Sequence, residues 1–182
     1  MKIEELEISG CFLISLPYFK DERGSFVKTF NSEALEGSAL EGFDLQEEFY
    51  STSKRNVLRG LHFQKPPAAH SKLVTCTDGA VIDFFVDLRK SSSTYGKSVS
   101  VELSSETPQL LYLPKGIAHG FLTMSDSATL LYKTDFVYSP EHDDGILWSS
   151  IDLTLPSTDE QYTVSERDKN FISLTHYESP FE

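Results

Sequence analysis

The chain has 182 residues, 39% of them hydrophobic and 24% charged, which excludes a disordered or fibrous protein and leaves enough length for one domain, 1–182, with a sizeable core. Sixteen Lys and Arg stand against 28 Asp and Glu, and the net charge of −12 repels a phosphate backbone and excludes a broad nucleic-acid surface. A small anionic ligand therefore needs a local pocket of Arg and Lys that overrides the global field.

The opening segment has no cationic stretch feeding a long apolar run, and no later stretch reaches membrane-spanning length, so the expected location is the cytoplasm, with no membrane partner. Strand-length apolar runs then recur at 11–16, 25–30, 48–53, 72–77, 80–87, 97–103, 109–113, 120–124 and 128–137. Turn signals such as Asp21-Glu-Arg-Gly24, Asp78-Gly79 and Pro114-Lys-Gly116 separate them. The 13 Phe and 8 Tyr favour strands, and the spacing predicts an all-β antiparallel sandwich or barrel. Helical pattern is confined to a short helix over 32–40, with Ser32 as its N-cap, and a helical turn over 165–170; both are peripheral. From Trp148 onward the chain is less regular and is expected to wrap the barrel, with Trp148 as packing. Cys11 and Cys76 are too few and too far apart for a metal knuckle or a disulfide framework, and read as two buried thiols.

Three polar clusters carry the chemistry. Leu58-Arg-Gly-Leu-His-Phe-Gln64, continued by Lys65-Pro-Pro-Ala-Ala-His-Ser-Lys72, sets Arg59, His62, Gln64 and Lys72 between strands. In a regular strand Arg59 and His62 face opposite ways, so Gly60 is expected to hold a bulge that re-aims one of them. Leu113-Pro-Lys-Gly-Ile-Ala-His119 brings a second His to the start of a strand, and Leu131-Tyr132 through Tyr138 puts two tyrosines six apart on one strand face. Such groups suit proton transfer at a carbon beside a carbonyl: an imidazole takes the proton, a phenol returns one, and Lys72 or His119 holds the enolate. Each residue alone has a structural explanation, a buried His or Tyr with a satisfied polar tip.

Together, Asp21-Glu-Arg-Gly-Ser-Phe26, Arg59-Gly-Leu-His-Phe-Gln64, Lys72-Leu-Val, Val86-Asp-Leu-Arg-Lys-Ser-Ser-Ser-Thr-Tyr-Gly96, Tyr112-Leu-Pro-Lys-Gly-Ile-Ala-His-Gly-Phe121, Tyr132 and Tyr138-Ser-Pro140 resemble the ordered motifs of the dTDP-4-dehydrorhamnose 3,5-epimerases. The resemblance runs over most of the chain, to Ser165-Glu-Arg-Asp-Lys169. It implies a cupin-type jelly roll, a homodimer whose N-terminal strands reach the neighbour, a nucleotide-linked 4-keto-deoxysugar as substrate, and no cofactor. On the matching positions His62 is the base, Asp168 its orienting partner, and Tyr132 the acid on the opposite face. Lys72 and His119 stabilise the enolate, Arg23 and Arg59 hold the pyrophosphate, Gln64 is a further substrate contact, and Tyr138 is a platform for the base. Arg23 and Phe26 are expected to complete the neighbouring subunit's site. Asp83 or Asp87 remains an alternative acidic partner for His62.

Two departures bear on specificity. The family's Arg-Gly-x-Phe-x-Glu here ends in Lys28, an acceptor turned donor, which puts CDP beside dTDP as the expected nucleotide. The family's Gln-Asp-Asn-His-Ser is Glu47-Glu-Phe-Tyr-Ser51, so Tyr50 is expected to reach the pocket, as wall or second proton donor, with epimerisation narrowed to one carbon. A metal-dependent cupin with His62, His70 and His119 as ligands is the alternative from another class, although the first His lacks the usual His-x-His spacing. A non-catalytic sugar-binding cupin is the third reading; it has no use for an acid and a base on opposite faces.

Overall fold

The computed structural model describes residues 2–35, 38, 40–156 and 161–182. Among these residues the strands in chain order are β1 (Ile3–Glu5), β2 (Phe12–Ser15), β3 (Tyr18–Asp21), β4 (Gly24–Val27), β5 (Glu47–Lys54), β6 (Leu58–Gln64) and β7 (Lys72–Asp78). They continue with β8 (Ala80–Asp87), β9 (Ser98–Ser104), β10 (Gln109–Leu113), β11 (Ile117–Thr123), β12 (Ser127–Thr134) and β13 (Asp143–Gly145). A six-stranded sheet runs β1-β2-β10-β7-β12-β5, a five-stranded sheet runs β13-β6-β11-β8-β9, and β3-β4 is a separate hairpin. The pairs between these strands are antiparallel. The two larger sheets face one another as the cupin-type jelly roll that the resemblance implies.

Strand alternation divides the apolar residues between three clusters. Val74, Cys76, Phe85, Leu103, Leu111, Phe121 and Leu130 meet between the sheets. Phe84 and Val86, neighbours of Phe85 with the opposite parity, join Leu58, Leu61, Phe63 and Ala118 on the outer face of the five-stranded sheet. There the chain after Trp148 lies over them with Ile151, Tyr162, Leu174, Tyr177 and Phe181, so the expected wrapping segment and the packing of Trp148 are both observed. Ile14, Leu16, Leu35, Leu40, Leu73 and Leu110 form the third cluster. Cys11 and Cys76 are free and buried, and burial pushes their thiols up to about 12 and about 11.

Several sequence-based bounds shift. The polar stretch expected between strands is itself β6, central to the site and flanked by β11 and β13. Its alternation is hidden because a bulge interrupts it. Expected strand 128–137 ends at Thr134, so Tyr138 lies beyond the strand, on the following loop. β1, β3 and β13 carry too few apolar residues to be read from pattern. The helix expected over 32–40 is a 3₁₀ turn at Ser32–Leu35, with 36, 37 and 39 outside the described residues. Asn31 rather than Ser32 caps it, accepting from the Glu33 amide at 3.1 Å. The late helical turn expected over 165–170 is α1 (Glu166–Lys169), and the structure adds that the Ser165 side chain caps it by accepting from the Asp168 amide. Among the described residues no helix is long and apolar enough to cross a membrane.

The bulge expected at Gly60 is present. His62 pairs with His119 and Arg59 with Phe121, so Gly60 and Leu61 together oppose Gly120. Gly60 has φ of +121°, and a Cβ there would lie 2.5 Å from the Gly120 Cα and 2.8 Å from the His119 carbonyl oxygen. Gly60→Ala therefore separates β6 from β11; we expect a loss of roughly 3 kcal/mol, read as a lower denaturation midpoint in urea.

Candidate active site

A cleft of about 330 Å³ opens between the two sheets. The five-stranded sheet lines it with Arg59, His62 and His119, and the six-stranded sheet with Phe49, Ser51, Lys72 and Tyr132. The bulge is what brings Arg59 and His62 to the same cleft across two intervening residues.

His62 Nε2 lies 2.9 Å from Asp168 Oδ1, a pairing made across 106 residues. Asp168 is held by α1 and buried; its second oxygen accepts from the Gly60 amide at 3.0 Å. Burial alone would raise this carboxyl, but the His62 ring and the Gly60 amide together hold it below the usual carboxylate range. The alternative partners are engaged elsewhere. Asp83 takes His119 Nε2 at 2.9 and 2.8 Å on its two oxygens, and burial lowers the imidazole and raises the carboxyl of that pair. Asp87 clamps Arg89, Ser92 and Thr94 in the loop after β8. Phe171 packs edge-on against the His62 ring at 5.7 Å, in space left by Gly145, where a Cβ would lie 2.3 Å from it.

On the facing sheet, Tyr132 is buried and its phenol is driven upward by burial, which keeps the proton on it. Phe49, its cross-strand partner, stacks on it with centroids 4.8 Å apart and planes 12° from parallel. Lys72 is buried and donates from Nζ to the His62 carbonyl oxygen at 3.0 Å. Burial brings its ammonium down to about 8, against the opposing pull of Asp143 and Asp83.

At the cleft wall, Arg59 donates from Nε to Ser53 Oγ at 3.0 Å. Tyr138 donates from its hydroxyl to Asp143, which also takes the Arg167 guanidinium at 2.7 Å; Arg167 in turn lies 5.2 Å over the Phe171 ring. Phe49, Asp143, Arg167 and Phe171 are site residues that sequence reasoning missed. Arg167 stood next to Asp168 in the quoted motif, and it was the available signal.

Two expectations are corrected by geometry. Tyr50 does not reach the cleft: β5 alternates, so Phe49 and Ser51 face inward while Tyr50, 71% exposed, points away. Gln64 borders the cleft, but its amide is spent inside the protein. Its oxygen accepts from the Ser139 amide, and its nitrogen donates to the Ala68 carbonyl and the His70 ring. Arg23, Phe26 and Lys28 lie outside this cleft, on or just after the β3–β4 hairpin. Arg23 pairs with Asp21 at 2.6 Å, and Phe26 is 58% exposed against Phe19. His62, His70 and His119 each turn a ring nitrogen to a protein partner, and among the described residues no three His, Cys, Asp or Glu side chains gather as a metal-ion set.

A jelly roll with an imidazole–carboxylate pair facing a buried phenol across one cleft has the architecture of a sugar-nucleotide isomerase. Comparison with known proteins agrees. The family model for dTDP-4-dehydrorhamnose 3,5-epimerase matches residues 5–176. The dTDP-4-dehydrorhamnose 3,5-epimerase of Escherichia coli K12 is 41% identical over 176 residues, 96% of this chain and 95% of that one. The dTDP-6-deoxy-D-glucose-3,5-epimerase of Legionella pneumophila, solved with dTDP-4-keto-L-rhamnose, superposes with a TM-score of 0.88 at 33% identity, covering 97% and 94% of the two chains. A 3′-monoepimerase of Streptomyces bikiniensis, solved with dTDP-quinovose, superposes at 0.85 with 27% identity, covering 93% and 86%. The chain belongs to the dTDP-4-dehydrorhamnose 3,5-epimerase family.

Proposed function

We propose that this single domain, 1–182, inverts C3, C5 or both of a nucleotide-linked 4-keto-6-deoxyhexose by proton transfer through an enolate. The observation that carries the reading is the His62–Asp168 pair on one sheet facing Tyr132 on the other. His62 removes the proton beside the ketone, Asp168 orients the ring and offsets its charge, and Tyr132 protonates the opposite face, which inverts the centre. Lys72 and the His119–Asp83 pair stabilise the negative charge on the C4 oxygen. The ketone itself acidifies both neighbouring carbons, so side chains alone carry the proton transfers in this scheme, without a cofactor. Arg59 holds the pyrophosphate, joined by Arg167 once the ligand draws it from Asp143. Tyr138 is the platform for the base.

Arg23, Phe26 and Lys28 belong to this scheme through a second copy. The exposed aromatic pair on the β3–β4 hairpin fits insertion into a neighbour's cleft, in a cytoplasmic homodimer. Lys28 then meets the nucleobase, which keeps CDP beside dTDP as the carrier. The Phe49 ring, rather than Tyr50, restricts the choice of carbon, because its stack on Tyr132 holds the phenol in one orientation.

The experiment is proton NMR in deuterated water with the 4-keto-6-deoxyhexose linked in turn to dTDP, CDP and GDP. Solvent exchange at C3 or C5 is the expected result and reads out both carrier and carbon; no exchange with any of the three overturns the proposal. A second expectation follows from Lys72. Its ammonium is charged below about pH 8 and loses its proton as pH rises through that value, so kcat/KM falls on the alkaline side from about pH 8. The pH–rate profile of Lys72→Arg, whose charge persists, lacks that limb.

A further inference from the structure

The cleft contains a third imidazole that the proposed mechanism does not use. His70 stands in the loop between β6 and β7 and lines the same cleft as Lys72 and His119. Its protonated nitrogen is set by a chain of hydrogen bonds that starts at a backbone amide. The backbone N–H of Ser139 can only donate, and it lies 2.5 Å from Gln64 Oε1. That atom is therefore the carbonyl oxygen of the amide, and the opposite atom is the NH₂, which donates to the Ala68 carbonyl at 2.8 Å. An amide NH₂ cannot accept, and its second hydrogen has His70 Nδ1 at 2.9 Å and the more distant Val137 carbonyl at 3.3 Å to choose from, so Nδ1, which could not face that nitrogen with a proton of its own, is the acceptor. The neutral ring must then carry its hydrogen on Nε2.

Burial, with Lys72, Lys115 and His119 adding their repulsion, brings His70 down to about 3 and keeps it neutral. Its Nε2–H is consequently a fixed donor. It is buried and has no partner among the described residues. An unpaired buried donor is costly, so a bound acceptor gains there what the empty protein lacks. The neighbours decide which acceptor: beside Lys72 and His119 the ligand group that gains negative charge during reaction is the ketone oxygen. A neutral donor adds a hydrogen bond to that oxygen without adding another cation to a site that already holds Lys72.

We infer that His70 is a ligand-contacting residue whose Nε2–H donates to the C4 oxygen of the sugar, beside Lys72, and strengthens as the enolate forms. This rests on the proposed epimerase reading. Gln64, which was expected to touch substrate, is on this account the residue that sets the His70 tautomer.

The test uses full-length protein with ¹⁵N-labelled histidine and two probes: the nucleotide-linked 4-keto-6-deoxyhexose that wild-type protein exchanges, and the matching nucleoside diphosphate alone. The expected spectrum shows His70 protonated on Nε2 from pH 6 to 9, with that resonance moving on addition of the keto-sugar and staying in place with the nucleotide alone. In turnover, His70→Gln, which can accept and donate in the same places, stays within a few-fold of wild type. His70→Leu loses roughly 10²-fold in kcat with KM little changed. A proton on Nδ1, a resonance that moves equally with the nucleotide alone, or wild-type kcat in His70→Leu overturns the inference. If His70→Leu fails to fold, the wild-type spectrum still decides. Absence of C3 and C5 exchange in wild type would instead sink the epimerase reading itself.

Discussion

His62→Ala is expected to lower turnover by roughly 10³-fold or more and to abolish solvent deuterium uptake at C3 and C5, because it deletes the group that starts the reaction. The physical basis is the cleft geometry. His62 reaches the cleft only because the Gly60 bulge breaks the alternation of β6, and its ring is fixed from behind by Asp168 and edge-on by Phe171. Asp168→Asn tests the same pair more gently. The amide keeps the size but removes the charge that favours an imidazolium and leaves one acceptor oxygen where His62 and the Gly60 amide use two, so it should cost less activity than the alanine at His62 and lower stability by about 1–3 kcal/mol. Measuring deuterium uptake and melting temperature for both variants checks this; uptake at the wild-type rate in His62→Ala would remove His62 from the role of base.

Tyr132→Phe is expected to separate the two halves of the reaction. With His62 in place the proton is still removed and can be returned to the same face, so deuterium enters the starting sugar within about tenfold of the wild-type rate. Delivery from the opposite face is lost, and inverted product falls by roughly 10²- to 10⁴-fold. Chiral analysis of the labelled sugar distinguishes exchange with retention from exchange with inversion. Equal loss of both would show that Tyr132 acts in binding or packing, where its stack with Phe49 and its edge contact with His119 already place it. The deletion removes one hydroxyl from a buried ring, so the packing of the phenyl group should survive.

Apolar runs of strand length, punctuated by Gly and Asp turns, are enough to read an all-β protein, since burial on a sheet imposes that period on the chain locally. The strands with regular patterning, 80–87 and 109–113, have the bounds expected of them. β6 is hard to read as a strand because it carries polar groups and a bulge where the pattern expects alternation.

Local chemistry is legible too. Gly60 implies a bulge because L-residues avoid its backbone geometry, and the pattern over 165–170 implies a helical turn, which α1 is. What only the tertiary structure decided were the choices that depend on pairing between distant segments. Among three candidate acids, Asp168 meets His62 because the carboxyl-terminal segment folds over the outer face of the five-stranded sheet, while Asp83 and Asp87 are taken by His119 and Arg89. Phe49 faces the cleft and Tyr50 does not, because the register of β5 on β12 sets the parity, and a one-residue slip would have reversed it. Gln64 became a clasp, and His70 a donor, only when the 137–139 loop closed on them. The sequence determined which residue types and turns were available; long-range register, which no local window contains, determined which of them meet.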